Sequence, residues 1–185
     1  DIVDEFSQLF CAKASALQVG NGLDPNVQMG PLANLRRLEA VERLVDDALT
    51  RGAELLLGGK RLAGDGFFFP PTVLKSVTLD SELMTVEPFG PVVPIVSFTD
   101  DEEVLRYANE TVYGLAAYIF TNCEKRQWVL ADRLKVGTIG INDIPTHTAD
   151  IPLGGWKESG IGVEGGVEMT NAYLKSQFRY VWNGK

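Results

Sequence analysis

The chain has 185 residues, 45% of them apolar, 9% aromatic and 23% charged, a balance that excludes disordered, collagen-like and coiled-coil chains and suffices for a buried core. Its formal charge of -8, from 17 basic and 25 acidic residues, would repel a phosphate backbone and leaves no polybasic patch for a lipid surface, so nucleic acid and membrane are not expected partners. No apolar run approaches the roughly 20 residues of a membrane span.

Residues 2–17 place Ile2, Val3, Phe6, Leu9, Phe10, Ala14 and Leu17 at three- and four-residue spacings, which predicts an amphipathic helix. Gly20, Gly22, Asp24-Pro25 and Gly30-Pro31 mark the loop after it. A second helix is expected with Leu35, Leu38, Val41, Val45, Ala48 and Leu49 inward, Asn34 as its N-cap and Gly52 beyond its end. Short extended segments at 55–57 and 72–77 follow, with the aromatic run 67–69 assigned to the core and residues 81–84 to a single turn. The β-branched stretch 92–98 predicts a buried strand in spite of Pro94. Asp100 then caps a helix to about residue 109, with Glu102 and Glu103 well placed in its first turn.

The second half predicts a strand at 115–120, a helix at 124–134 with Trp128, Leu130, Ala131 and Leu134 inward, and a strand at 136–141. An irregular loop spans 142–162, a short helix 164–172, and the weakly alternating segment 173–182 reads as an exposed or partner-paired strand. The alternation of strands and helices from Val92 to Ile141 gives the expected fold class: α/β, a largely parallel sheet with flanking helices. Residues 1–172 form the expected body and 173–185 a terminal strand and tail.

Two cysteines, Cys11 and Cys123, and one histidine, His147, are too few for a zinc cluster, and no metal site is expected. The absence of a Cys-x-x-Cys pair and of a secretory leader points to a reduced, cytoplasmic location. Cys123 stands at a predicted helix start, where the helix dipole favours a thiolate. The chain opens on Asp1, inside a predicted helix, and is therefore expected to be a piece of something longer.

Two loops carry the chemistry. Glu87-Pro88-Phe89-Gly90-Pro91 fixes one carboxylate and one aromatic ring between prolines at the start of a strand. It reads either as a ligand site or as a rigid turn with a solvated glutamate. The glycine-rich stretch 152–162 contains no phosphate-binding Gly-x-x-x-x-Gly-Lys-Ser/Thr. Its Gly160-x-Gly162-x-x-Gly165 spacing matches a dinucleotide fingerprint, but the segment before it reads as loop, so coincidence is the better account.

In this order and spacing, the motifs resemble the NAD(P)-dependent aldehyde dehydrogenase superfamily. The landmarks are Val19-Gly20-x-Gly22-x-Asp24-Pro25, Gln28-Met29-Gly30-Pro31, Gly58-Gly59, Glu87-x-Phe89-Gly90-Pro91, Tyr113-Gly114-Leu115, Gly137-Thr138-x-x-x-Asn142 and Pro152-x-Gly154-Gly155-x-Lys157-x-Ser159-Gly160, and they cover nearly the whole chain. The resemblance implies the C-terminal part of the catalytic domain followed by the family's oligomerisation strand. The catalytic cysteine, the glutamate base and the Rossmann-type cofactor domain would all lie upstream of Asp1, leaving no catalytic residue here. Neither Cys11 nor Cys123 is then the nucleophile.

Family chemistry proceeds through attack of a cysteine thiolate on the aldehyde, hydride transfer to the nicotinamide and hydrolysis of the thioester. The resemblance assigns this chain supporting parts. Glu87 would hold the hydroxyls of the nicotinamide ribose of NAD or NADP, since a carboxylate accepts two hydrogen bonds from a diol. Phe89 would pack beside the nicotinamide. The loop 142–153, with Asn142, His147 and Leu153, would wall the aldehyde tunnel. Many family members carry aromatics at the positions of His147 and Leu153, so His147 either favours an aldehyde bearing a carboxylate or hydroxyl or is a solvent-facing loop residue.

Three readings compete. The first is a fragment of an aldehyde dehydrogenase, inactive alone, that pairs with other subunits through 173–182. The second is a non-catalytic assembly module with the same partial fold. The third, an unrelated nucleotide-binding α/β domain, fails on the missing phosphate loop. Gaps left by an absent upstream strand predict self-association or poor solubility of the isolated chain.

Overall fold

A computed structural model describes residues 2–144 and 148–184, which fall into two compact units, residues 1–99 and 100–185. Among the described residues no helix is long and apolar enough to cross a membrane.

In the first unit, α1 (Val3–Ser15) is followed by α2 (Leu35–Thr50), β1 (Glu54–Leu57), β2 (Thr72–Lys75), a 3-10 turn (Glu82–Met84) and β3 (Val92–Ile95). The strands form one sheet in the order β1-β2-β3. β2 and β3 are parallel, in register from Thr72 with Val92 to Lys75 with Ile95, while β1 runs antiparallel to β2 with an irregularity between Leu55 and Leu57.

Helix α2 is the centre of this unit. Asn34 caps it, its Oδ1 accepting from the Arg37 amide at 2.9 Å. Leu38, Val41, Leu44, Val45 and Ala48 are buried against Phe69, Leu74, Val77, Leu83 and Val92. The predicted face is shifted: Leu44 joins the core, and Leu35 is exposed in the first turn. Asp47 joins α2 to the 3-10 turn, accepting from the Ser81 hydroxyl at 2.9 Å and the Glu82 amide at 2.8 Å.

Helix α1 forms where predicted but turns a different stripe inward. It lies against β1 and β2 with Ser7 and Ala14 buried, while Phe6 and Leu9 are 48% and 59% exposed. Its apolar residues occupy two adjacent stripes, and only the narrower one meets the sheet. Of the aromatic run 67–69 only Phe69 is core, and Phe67 is exposed. Strand β3 stops at Ile95 rather than 98, and Pro94 sits within it because β3 is the edge of this sheet, where a missing N–H costs no ladder bond.

The second unit contains α3 (Asp101–Glu110), β4 (Tyr113–Gly114), β5 (Ala116–Ile119), α4 (Glu124–Arg133), β6 (Thr138–Ile141), β7 (Trp156–Lys157) and α5 (Thr170–Tyr173). Asp100 caps α3, its Oδ1 accepting from the Glu103 amide at 2.9 Å. β5 and β6 pair in parallel through α4, and β4 and β7 pair antiparallel. Leu105, Ile119 and Leu130 form the core, with Val104, Ala131, Leu134 and Ile139 packed on it. Trp128, expected inward, is 62% exposed: α4 turns Leu130, Ala131 and Leu134 to the sheet and leaves the indole outside that stripe.

The α/β class holds, with mixed sheets. The pairs β2–β3 and β5–β6 are parallel, each joined through a helical segment, whereas β1 and β2 are joined by a loop without one and run antiparallel. The helix expected at 164–172 shrinks to the single turn of α5, because Gly165 and Gly166 both adopt positive φ. Residues 174–182 form no strand, and Phe178, Tyr180, Val181 and Trp182 are exposed, as a lone segment without a pairing edge must be.

Candidate functional site

The first loop lies in the first unit, between the 3-10 turn and β3. Its conformation is set by α2. Gly90 passes so close to that helix that a Cβ would stand 2.7 Å from Val41 Cγ2. On the other side of Phe89, Arg37 Nη1 donates to the Pro88 carbonyl at 3.2 Å. Downstream, Thr72 N donates to the Pro91 carbonyl at 2.8 Å, fixing the loop to β2. Between these anchors Phe89 takes φ +44°, a left-handed value rare for a bulky residue.

The consequence is that Phe89 is presented rather than buried. The residue is 67% exposed, with the Arg37 guanidinium 5.3 Å from the ring centroid. Glu87, two residues earlier, is exposed as well. The anchored loop thus offers a carboxylate acceptor and an exposed aromatic residue, groups that suit a diol next to a planar ring. The loop enters β3 at its amino end, so the rule that ligands gather at strand carboxyl ends does not find it.

The second loop begins at the carboxyl ends of β5 and β6, where that rule does apply. Asn142 follows β6 at φ +55° and reaches Thr121 beyond β5: its Oδ1 accepts from Thr121 N at 2.8 Å and its Nδ2 donates to Thr121 O at 3.0 Å. Both polar ends of the side chain are engaged, so Asn142 shapes the loop mouth. His147 lies outside the described residues. Leu153 is half-buried and pairs with Glu164 through two backbone bonds of 2.7 and 2.8 Å. Between them, Thr148 Oγ1 donates to Asp150 Oδ1 at 2.5 Å and holds that carboxyl below its ordinary range.

The glycine-rich stretch is clamped to the strand β4. Lys157, at φ +54°, donates from Nζ to the carbonyls of Asn109 at 3.0 Å and Thr111 at 2.9 Å, capping the end of α3. Ser159 Oγ accepts from Gly114 N at 2.9 Å, and Glu158 N donates to Val112 O at 3.0 Å. Gly137 meets the same stretch so closely that a Cβ there would lie 1.6 Å from the Gly154 carbonyl oxygen.

Other candidates bring nothing together. Cys123 occupies the N-cap of α4 without a side-chain cap bond and is exposed, and Cys11 is half-buried on α1. Among the described residues no group of three His, Cys, Asp or Glu side chains fits a metal ion. Gly160 follows the two-residue strand β7, but the next helix among the described residues begins only at Thr170, so Gly160, Gly162 and Gly165 open no helix and the dinucleotide spacing there is coincidental. Sequence reasoning missed Arg37 and the clamping role of Lys157, since neither contact has a local pattern: Arg37 is 51 residues from Pro88 and Lys157 is 48 from Asn109.

Comparison with known proteins gives consistent matches. Residues 1–178 match the aldehyde dehydrogenase family. The non-phosphorylating aspartate-semialdehyde dehydrogenase of Halomonas elongata is 42% identical over 177 residues, covering 96% of this chain and 36% of its own. A probable NADP(+) succinate-semialdehyde dehydrogenase of Sinorhizobium fredii is 41% identical over 174 residues, covering 94% and 35%. The crystal structure of succinate-semialdehyde dehydrogenase from Burkholderia pseudomallei superposes with a TM-score of 0.90 at 40% identity, covering 93% of this chain and 36% of that one. The chain therefore spans about a third of the length of the relatives it matches.

Proposed function

The chain belongs to the aldehyde dehydrogenase family, and from that premise we propose that it is the C-terminal part of the catalytic domain of an NAD(P)-dependent enzyme that oxidises an aldehyde to a carboxylic acid. The observation that carries the reading is the loop 87–91, which holds Phe89 exposed at φ +44° with Glu87 beside it in sequence. Glu87 accepts the ribose hydroxyls of NAD or NADP and Phe89 bounds the nicotinamide. The cofactor, when bound, supplies the hydride acceptor. On this reading the loop 142–153, which carries Asn142, His147 and Leu153, walls the aldehyde tunnel, and Asn142 shapes the start of the loop.

This chain's residues orient and exclude; they do not attack the aldehyde. Neither cysteine takes the nucleophile's place, so the isolated chain is inactive. The aldehyde carries a carboxylate at its far end, a reading supported by the semialdehyde substrates in the names of the relatives. The enzyme works in the cytoplasm and associates with its own copies through 173–182, whose apolar side chains lie exposed.

The test is kinetic, in the full-length enzyme. Glu87→Gln is expected to raise the KM for NAD(P) about tenfold, the value of a hydrogen bond to a charged group, with the aldehyde KM unchanged. Unaltered cofactor kinetics in both Glu87→Gln and Phe89→Ala would reject the reading.

One alternative has an observation of its own. The exposed apolar residues of 178–182 also suit a non-catalytic assembly module. An intact mass near 20.2 kDa for the protein as made in its cell would favour the module, and a mass about three times larger, as the relatives' lengths require, would favour the enzyme.

A further inference from the structure

We propose that Arg37 is a positioning residue for the cofactor: from helix α2 it fixes the Phe89 ring against which the nicotinamide is held. The inference rests on the reading of Glu87 and Phe89 given above and adds a residue that acts through Phe89.

Phe89 needs an external restraint. The residue is 67% exposed, so burial does not fix its rotamer, and its backbone sits at φ +44°, where a bulky residue stays only if its surroundings enforce it. Both needs are met from one side chain. The Arg37 guanidinium lies 5.3 Å from the ring centroid, inside the roughly 6 Å range of a cation–π contact. The same planar group donates from Nη1 to the carbonyl of Pro88, the residue just before the ring, at 3.2 Å. Ring and backbone are thereby held relative to each other by a rigid fork that a lysine ammonium reproduces only in part.

Arg37 is itself well anchored. Its amide is the one that donates to the Asn34 cap, and the next residue, Leu38, is fully buried. One turn further along α2, Val41 leaves room only for a glycine at position 90. Helix α2 therefore grips the loop on both sides of Phe89, by Arg37 at Pro88 and by Val41 at Gly90. The restraint on the ring comes from the best-packed helix of the unit.

The experiment is a double-mutant cycle in the full-length enzyme, with Arg37→Met, Arg37→Lys, Phe89→Ala and the Arg37→Met/Phe89→Ala pair, read as kcat/KM for NAD(P) and KM for the aldehyde. Arg37→Met is expected to lower kcat/KM for the cofactor about fivefold, the combined worth of an exposed cation–π contact and one hydrogen bond, and to leave the aldehyde KM unchanged. Arg37→Lys recovers part of the loss. In the Phe89→Ala background Arg37→Met adds nothing, because the group through which it acts is gone. Equal losses in both backgrounds would overturn the inference, as would intact cofactor kinetics in Arg37→Met where Phe89→Ala is impaired. If Phe89→Ala itself leaves cofactor kinetics unchanged, the cofactor reading falls and the role of Arg37 with it. Should Arg37→Met fail to fold, Arg37→Lys decides: a loss confined to the cofactor supports the role, and a loss shared equally with the aldehyde overturns it.

Discussion

Asn142 holds Thr121 by both of its backbone polar groups, Oδ1 accepting from Thr121 N at 2.8 Å and Nδ2 donating to Thr121 O at 3.0 Å. The side chain does for the ends of β5 and β6 what another pair of ladder bonds would have done. Its own backbone pays for this with φ +55°, a value asparagine tolerates better than most residues. Two substitutions separate these effects. Asn142→Gly keeps the backbone free and removes the side-chain bonds, for an expected loss of about 1–2 kcal/mol. Asn142→Ala removes the bonds and adds strain, for about 1 kcal/mol more. Urea denaturation followed by circular dichroism reads both; equal losses would show that the φ value carries no strain.

The contact between Gly137 and Gly154 is harsher. A Cβ at residue 137 would stand 1.6 Å from a backbone oxygen, and neither chain segment is a flexible side chain that can step aside. Gly137→Ala is expected to cost more than about 4 kcal/mol, at the far end of single-substitution effects, and to open 152–162 to proteolysis. Gly22→Ala is the control, since nothing lies within 4 Å of its Cβ. Limited proteolysis that cannot distinguish the two variants would contradict the packing.

Asp47 makes stability depend on acid. The Arg51 guanidinium first, then the Glu82 amide and the Ser81 hydroxyl, hold its carboxyl below the usual aspartate range. A carboxylate whose folded pKa lies below its unfolded one stabilises the fold fully above the unfolded value, about 3.9. That contribution is lost as pH falls through the lower, folded value. The urea midpoint of the wild type is therefore expected to fall as pH drops below about 4, and that of Asp47→Asn to be lower at neutral pH and flatter below that value. Parallel pH profiles would assign the acid sensitivity to other groups. The pairs Arg61–Glu42, Arg133–Glu102 and Lys75–Asp4 lower their own carboxyls in the same sense, so the variant reports only the Asp47 share.

What could be read in one dimension follows from the range of each interaction. The caps Asn34 and Asp100 act over three residues, and both were legible. So were α2, whose apolar face meets the sheet, and the position of β5. The inward stripe of α1 was not, because two stripes are apolar and only the sheet beneath selects between them. Trp128 was misplaced for a related reason: its size suggests burial, but the narrow pair β5–β6 gives α4 little surface to cover. The loop 87–91 was conspicuous from its prolines and glycine, while the hand that holds it, Arg37, belongs to a helix 51 residues away and leaves no mark on the sequence around Phe89. The length expected of α5 failed on Gly165 and Gly166, whose positive φ values were open to any glycine and required by none.

The last expectation concerns His147. On the proposed reading that residues 142–153 wall the aldehyde tunnel, an imidazole at position 147 supplies that wall with a hydrogen-bond donor. A hydrocarbon wall discriminates weakly against a polar aldehyde, whereas a donor aimed at a carboxylate discriminates strongly, because the wrong substrate leaves the donor unpaired. If the enzyme's aldehyde ends in a carboxylate, His147→Phe in the full-length protein is expected to lower kcat/KM for succinate semialdehyde about tenfold or more relative to an uncharged aldehyde of the same length. An aldehyde series measured with both proteins reads this directly. A preference unchanged by the substitution would leave His147 a solvent-facing loop residue and return the choice of substrate to other parts of the tunnel.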